Sequence, residues 1–169
     1  MIEYKYSTFV PRFCAGFVDG LVLMPVSWIY SFTFSYSDSV PLRILACIIN
    51  SSAFLVYSIW MHGTRGQTLG KMANKVIVLD VSEQPLSMRQ AVLRDIFGVV
   101  LLPFGLAIEI YRITRGIDTS SPADVTRFDW IFAYSSLVWF LIEVITMLTN
   151  NKRRALHDFI AGSVVVQRR

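Results

Sequence analysis

Four apolar segments of this chain are each long enough to cross a lipid bilayer as a helix. They cover about 10–36, 41–61, 88–111 and 129–149, and a helix needs about 20 apolar residues to cross a bilayer. The chain is 54% hydrophobic and 17% charged, against about 25% charged in a typical soluble domain. The sequence therefore predicts an all-α membrane protein with about four transmembrane helices, forming one transmembrane domain over residues 1–169.

The segment 88–111 is the least regular of the four. It opens with the polar run MRQAVLRD and contains Pro103 inside its apolar core. We expect it to cross the bilayer as the third span. A helix that lies half in the interface without crossing is the alternative.

Basic residues are distributed unevenly among the segments outside the spans. The N-terminus, the segment 63–94 and the tail 150–169 carry all but four of the 16 Lys and Arg residues. Loops rich in basic residues stay in the cytoplasm, so we expect both termini to be cytoplasmic and the connection 112–128 to lie outside. The remaining basic residues are Arg43, Arg112, Arg115 and Arg127.

Two short runs outside the spans have the composition of β-strands. They are VIVLD at 76–80 and SVVV at 163–166. Short strands are unstable alone, so we expect 76–79 to pair with 163–166 in a small cytoplasmic element at the membrane interface. The preceding run TLGKMANK predicts an amphipathic turn, from which Lys71 and Lys75 reach anionic lipid headgroups.

The stretch PRFCAGFVDGLVL at 11–23 places two charged residues in the first span, Arg12 and Asp19. Residues seven apart share a helical face, but a rise of about 10 Å separates this pair along the axis. Each side chain therefore needs a partner from another segment. An ionised carboxylate near the middle of a membrane costs several kcal/mol unless it is paired, so Asp19 must be either paired or protonated.

Partners for these charges are available on the other segments. Gly16 and Gly20 predict a small-residue face on which another helix packs closely against Asp19. The expected partners of Asp19 are Asn50, Ser51 and Ser52 in the second span and Arg94 at the start of the third.

The tail and the fourth span supply three further ionisable groups. Asp158 is placed to meet Arg12, and the adjacent His157 is expected to cap or bridge. Glu143 is expected to be an arginine-paired acid near the surface, with a proton relay as the alternative.

Two functions for this polar set remain open. In the first, Asp19 binds a proton or a monovalent cation, with Asn50 and Ser51 as oxygen ligands. In the second, Arg12, Asp19 and Asp158 form a buried lock that fixes helix packing. We favour the lock.

Three motifs in order carry a resemblance to a known family: PRFCAGFVDGLVL, GQTLGKMANKVIVLD and RRALHDFIAGSVVV. Over about residues 8–167 the chain resembles the RDD family of bacterial membrane proteins, named for one arginine and two aspartates, which correspond here to Arg12, Asp19 and Asp158. Two departures from the family pattern are the run MANKVIVLD and the acid Glu143. The resemblance implies a multi-pass protein of the bacterial inner (plasma) membrane. It also suggests monovalent cation/proton antiport, an activity attributed to one member.

Other classes of function fit the sequence poorly. Two cysteines and two histidines at these spacings favour no metal site, and no GxSxG serine motif or nucleotide-binding glycine loop is present. We expect no enzyme activity, no cofactor and no nucleic-acid partner. The expected partners are anionic lipids, with monovalent cations and protons if the chain transports. A homo-oligomer or an unidentified membrane partner is kept open.

Overall fold

The structure is a computed structural model that describes residues 6–117 and 126–167. Within these ranges it contains seven helices and two strands. They are α1 (Phe9–Tyr36), α2 (Val40–Arg65), α3 (Leu69–Ala73), β1 (Val76–Asp80), α4 (Met88–Arg94), α5 (Ile96–Arg115), α6 (Arg127–Thr149), α7 (Leu156–Ile160) and β2 (Ser163–Gln167).

Four of these helices, α1, α2, α5 and α6, are long and apolar enough to cross a membrane. This confirms the predicted fold class of about four transmembrane helices with two short strands. The prolines Pro25 and Pro103 lie inside α1 and α5 without ending them.

The third span begins later than the sequence predicted. The chain turns at Asp95, which ends α4 and begins α5. The polar run at 88–94 is a separate helix because it packs beneath the sheet, with Ala91 and Arg94 buried there. Its start is fixed by a capping box between Ser87 and Gln90. The apolar span is therefore Ile96–Arg115.

The two strands pair with each other, as the sequence predicted, and the structure shows that the pairing is antiparallel. Val76 lies opposite Gln167 and Asp80 lies opposite Ser163. Tyr6 packs on the same sheet beside Val164. Both ends of the described chain therefore lie at one end of the helix bundle, here called the sheet end. The opposite end, where 37–39 joins α1 to α2, is called the far end. Residues 118–125 of the predicted outer loop lie outside the described residues.

The buried apolar residues are concentrated at the sheet end. Val76, Val78 and Val165 are fully buried there, with Leu86 and Ala91 packed against them. The long helices instead leave large apolar side chains exposed, among them Phe13 and Phe17 on α1. In a bilayer these side chains face acyl chains, which are as apolar as the side chains themselves.

The close contact predicted at Gly16 and Gly20 occurs elsewhere. A Cβ atom added at either glycine would meet nothing within 4 Å. A Cβ atom at Gly70 would lie 2.0 Å from the carbonyl oxygen of Ala15. The close approach to α1 is therefore made by the short helix α3, because the backbone of α3 rests directly on that of α1.

Candidate functional site

Asp19 is buried in α1 and is surrounded by neutral hydrogen-bond donors. Its Oδ1 accepts from the Tyr57 hydroxyl at 2.6 Å and from the Gly70 backbone N–H at 2.7 Å. Its Oδ2 accepts from the Thr68 hydroxyl at 2.6 Å. We call these four residues the Asp19 site. Since a carboxylate only accepts hydrogen bonds, three donors at this distance satisfy it without a cation.

The start of α3 is built around this carboxylate. Thr68 is the N-cap residue of α3, and its hydroxyl also accepts from the Lys71 backbone N–H at 3.3 Å. The Tyr57 hydroxyl accepts from the Leu69 backbone N–H at 2.8 Å while it donates to Asp19. The TLGK segment therefore holds Asp19 through its backbone and its capping hydroxyl, and α2 contributes the tyrosine.

The partners predicted for Asp19 in the second span are wrong. Asn50 accepts a hydrogen bond from Ser27 at 3.1 Å, and Ser51 lies 3.9 Å from the Cys47 sulfur. The physical reason is the register of α1 and α2. These helices are antiparallel about the turn at 37–39, so Asp19 lies level with Tyr57, while Asn50 lies closer to the far end. Ser52 instead donates to the backbone of its own helix.

Asp158 forms the second buried carboxylate site, in which arginines take part. Its Oδ2 accepts from Arg12 Nη1 at 2.7 Å and from the Ala155 backbone N–H at 2.9 Å. Its Oδ1 accepts from Arg94 Nη1 and from the Ser163 hydroxyl, the latter at 3.2 Å. We call these five residues the Asp158 site. Arg12 contacts Asp158 in this site, as the sequence predicted. Arg94 also contacts Asp158, whereas the sequence predicted that it would contact Asp19.

The surroundings of Asp158 favour its charged form. Complete burial of the side chain opposes ionisation and tends to raise its pKa. Arg94, His157 and Arg12 act in the opposite direction and prevail, so the pKa of Asp158 lies well below its usual range. The carboxylate at this site is therefore ionised at neutral pH and joins α1, α4 and β2.

The two arginines of the Asp158 site are not equally satisfied. Arg94 Nη1 donates to both Asp158 and Ser163, and Nη2 lies 3.0 Å from His157 Nε2. Arg12 Nη1 also contacts the Met147 sulfur at 3.5 Å. Within 6–117 and 126–167, Arg12 Nε and Nη2 are buried and have no hydrogen-bond partner. The guanidinium group of Arg94 is consequently better satisfied by hydrogen-bond partners than that of Arg12.

Glu143 differs from the surface acid paired with arginine that the sequence predicted. It is buried in α6, and its Oε2 lies 2.5 Å from His157 Nδ1. Its Oε1 accepts from the His157 backbone N–H at 3.1 Å. His157 thus bridges Glu143 and Arg94, which matches the bridging role expected of it. The bridge fastens α6 to the sheet end because α7 folds back beneath it.

Lys71 does not extend freely to lipid headgroups, as had been expected. Its Nζ lies 2.5 Å from Nε2 of His62, a buried residue of α2. Lys75, in contrast, is exposed. The position of Lys71 follows from α3, because the Gly70 contact turns the next side chain toward α2.

A cavity of about 580 Å³ lies between α2, α5 and α6. Its middle is mostly apolar, with Leu55, Leu101 and Trp139 among its lining residues. The ionisable groups are at its two ends: Arg94, Asp95 and His157 at the sheet end, and Glu109 and Asp129 at the far end.

An arginine joins the two acids at the far end. Arg112 pairs with Glu109 at 2.8 Å and with Asp129 at 2.5 Å. These pairs fasten α5 to the start of α6.

Several residues of these sites were missed by sequence reasoning. Tyr57 is aromatic within an apolar span, and Ser163 is an ordinary strand residue, so neither carries a distinctive local signal. Thr68 and Gly70 lie in the quoted motif GQTLGK, whose N-cap threonine followed by glycine was the available sign of a tightly packed helix start.

Together the helices and buried contacts define a polytopic helical membrane protein whose sheet end is held by carboxylates. The sequence pattern of the RDD family matches residues 6–162, so the chain belongs to the RDD family. No curated protein and no solved structure matches the chain.

Proposed function

We propose that this chain is a non-transporting, non-enzymatic membrane adaptor whose arginine and aspartate residues form structural locks. The spans hold a platform made of α3, α4, α7 and the two strands at a fixed position beside the bilayer. The observation that carries this proposal is that both carboxylates, Asp19 and Asp158, are already satisfied by donors of the chain itself.

The chemistry of the two carboxylates supports a lock over an ion site. A bound cation needs oxygen lone pairs that point into an open position. The Asp19 oxygens receive three donors, and the Asp158 oxygens receive two arginines, a hydroxyl and a backbone N–H. The oxygens of Asn50 and Ser51 do not join Asp19. A cation entering either site must first displace donors fixed by short helices.

The surface of the platform supports a location at the cytoplasmic face of an inner membrane. Exposed basic residues at the sheet end are Arg65, Lys75, Arg89 and Lys152. Positive residues favour the cytoplasmic side and bind anionic headgroups. The exposed apolar residues Phe159 and Ile160 lie on the same platform and suit the boundary between headgroups and acyl chains. Reporter fusions after residue 169 and within 116–124 should give opposite signals, and equal signals contradict this topology.

Liposomes loaded with a pH-sensitive dye test the absence of transport. Na⁺, K⁺ and Li⁺ are added in turn to vesicles with the full chain and to empty vesicles, and a proton ionophore added last shows that the dye responds. We expect the two vesicle types to give equal proton fluxes. A cation-dependent flux that is lost in a stable, monodisperse Asp19→Asn variant contradicts the lock, since asparagine keeps the size of the side chain but removes its charge.

Transport of monovalent cations and protons is the second candidate function. The observation that favours it is the cavity between α2, α5 and α6, with acids at its far end and the groups around Arg94 at its sheet end. In this proposal the cavity is the pathway, and homo-oligomers supply further lining. Its test is the same flux assay with Glu109→Gln. A cation-dependent flux in the wild type that this variant abolishes supports transport, while equal flux in wild-type and empty vesicles rules it out.

A further inference from the structure

A continuous line of four polar side chains runs from α3 to the cavity between α2, α5 and α6. Lys71 Nζ lies 2.5 Å from His62 Nε2, and His62 Nδ1 lies 3.2 Å from Ser58 Oγ. The Ser58 hydroxyl donates to Asp95 Oδ2 at 2.8 Å. His62 and Ser58 are each 3% exposed, so the middle of the line is shielded from solvent. Asp95 lines the cavity.

The carboxylate of Asp95, at the cavity end of this line, sets the direction of every hydrogen bond in it. A carboxylate only accepts, so the Ser58 hydroxyl must donate to Asp95 and accept from His62 Nδ1–H. His62 Nε2 is then a free lone pair that accepts from the Lys71 ammonium group. All three donors point toward Asp95. Proton transfer by successive hops requires this uniform orientation, because each group passes on one hydrogen as it receives another.

We propose that Asp95, Ser58, His62 and Lys71 form a proton relay that carries a proton from the cavity to the amine of Lys71. The relay is a function separate from the lock, which uses Asp19 and Asp158.

The transfer step balances in atoms and charge. Before transfer, a protonated Asp95 donates to Ser58, Ser58 donates to His62 Nδ1, and His62 Nε2–H donates to the neutral amine of Lys71. The O–H bond of Asp95 breaks, Ser58 receives that proton and gives its own to Nδ1, and the Nε2 proton moves to Lys71. The products are a carboxylate and an ammonium group, the arrangement described above. A carboxylic acid is a stronger acid than an alkylammonium group, so transfer runs toward Lys71.

The environment of Lys71 suits an amine that both gains and loses a proton near neutral pH. Burial, followed by the nearby Arg94 and Arg12, lowers the pKa of Lys71 from 10.5 to about 7. Asp158 and Asp95 act in the opposite direction and are outweighed. The charged and titratable groups facing Lys71 and His62 are Arg12 on α1, Arg94 on α4, Asp95 between α4 and α5, and His157 and Asp158 on α7.

Nitrogen NMR of the full chain in nanodiscs tests the relay through the tautomer of His62. The chain has two histidines, so ¹⁵N-histidine labelling gives two signal sets, which His62→Gln assigns. We expect the Nδ1–H tautomer to prevail at both pH 6 and pH 9, because the Asp95 carboxylate holds it through Ser58. The Nε2–H tautomer belongs to the state before transfer, with a protonated Asp95, and should appear only as a minor state in exchange with the main one.

The rate of exchange between the tautomers at pH 7 tests the route of the proton. Ser58→Ala removes the middle hydroxyl and should slow exchange at least ten-fold, while Ser58→Thr keeps a hydroxyl and should restore the wild-type rate. Ser52→Ala, which removes an exposed hydroxyl of the same helix, should leave the rate unchanged. If Ser58→Ala does not fold, Asp95→Asn serves instead, because it still accepts from Ser58 but supplies no acid proton. Wild-type exchange in the folded variant, or an Nε2–H tautomer that prevails in the wild type, overturns the relay.

Discussion

Gly70 donates its backbone N–H to Asp19 Oδ1 at 2.7 Å, and a Cβ atom at Gly70 would lie 2.8 Å from the Asp19 carboxyl carbon. The glycine is thus required by its contact with α1. In an RDD protein this contact joins the segment between the second span and β1 to the first span. It also explains how an acid can lie buried in α1, because the neutral donors of Tyr57, Thr68 and Gly70 satisfy its oxygens.

We expect Gly70→Ala to destabilise the protein strongly, because the new methyl group would meet the backbone oxygen of Ala15 at 2.0 Å. Overpacking costs about 1–3 kcal/mol when side chains can move, and a backbone atom moves less readily, so we expect at least the upper part of this range. Thermal unfolding in detergent provides the measurement. Gly16→Ala and Gly20→Ala are matched controls with open space around them. Equal melting temperatures for all three variants would show that α3 does not pack on α1 in this way.

Arg94→Ala should be more damaging than Arg12→Ala. Arg94 contacts Asp158, Ser163 and His157, while two of the three guanidinium nitrogens of Arg12 have no partner among the described residues. Breaking a buried ion pair costs about 3–5 kcal/mol, and we expect Arg94→Ala to reach this range. The free energy of unfolding in denaturant is the measurement.

Two further variants serve as controls for this unfolding experiment in denaturant. The double variant Arg94→Ala with Asp158→Ala should lose less than the sum of its single losses, because the two residues interact directly. Arg89→Ala changes an exposed arginine of the same helix and should have little effect. Additive losses, or an Arg12→Ala loss larger than that of Arg94→Ala, contradict the unequal roles of the arginines.

The lowered pKa of the Lys71 amine predicts that the free energy of unfolding rises with pH above neutrality. Burial, then Arg94 and Arg12, lower the pKa of Lys71 to about 7 in the folded protein, whereas an unfolded lysine has a pKa of about 10.4. Between these values the unfolded chain binds more protons than the folded one, so the free energy of unfolding increases with pH. Melting temperatures at pH 7, 8 and 9 test this. The increase should be smaller in Lys71→Met and unchanged in the exposed control Lys75→Met. An identical slope in wild type and Lys71→Met contradicts the prediction.

A cysteine pair at Val78 and Val165 should form a disulfide. These residues are opposite each other in the sheet. The Val78 N–H donates to Gly66 O at 2.8 Å, so the pair is not hydrogen-bonded across the strands and its side chains lie close. Mobility on a non-reducing gel is the readout, with Cys14 replaced by serine.

The offset pair Val78→Cys with Gln167→Cys is the control for register, because diagonal neighbours are about 7–8 Å apart and exceed the reach of a disulfide. Deleting residues 162–169 should lower the melting temperature, although no span is changed. Cross-linking of the offset pair alone would mean that the register is different.

Much of the architecture could be predicted because the determining signals are local. The length of an apolar segment decides whether it crosses a bilayer, and that rule found the four long helices. Two short β-branched runs lie outside the spans, and each lacks another strand to pair with. They therefore predicted the pairing of 76–79 with 163–166. The contact between Arg12 and Asp158 followed from their positions near the same end of the chain's spans.

The partners of Asp19 and Glu143 were decided by the tertiary structure. Whether Asp19 meets Asn50 or Tyr57 depends on the register of two antiparallel helices, which the apolar pattern of each helix leaves undetermined. The three donors reach Asp19 only because α3 rests on α1 at Gly70 and brings Thr68 with it. Glu143 meets His157 only because α7 folds back beneath α6. Composition and periodicity determined which segments enter the membrane, since burial in lipid is a property of each segment by itself. The pairing of buried polar groups depends on distances between segments, so only the packed structure decided it.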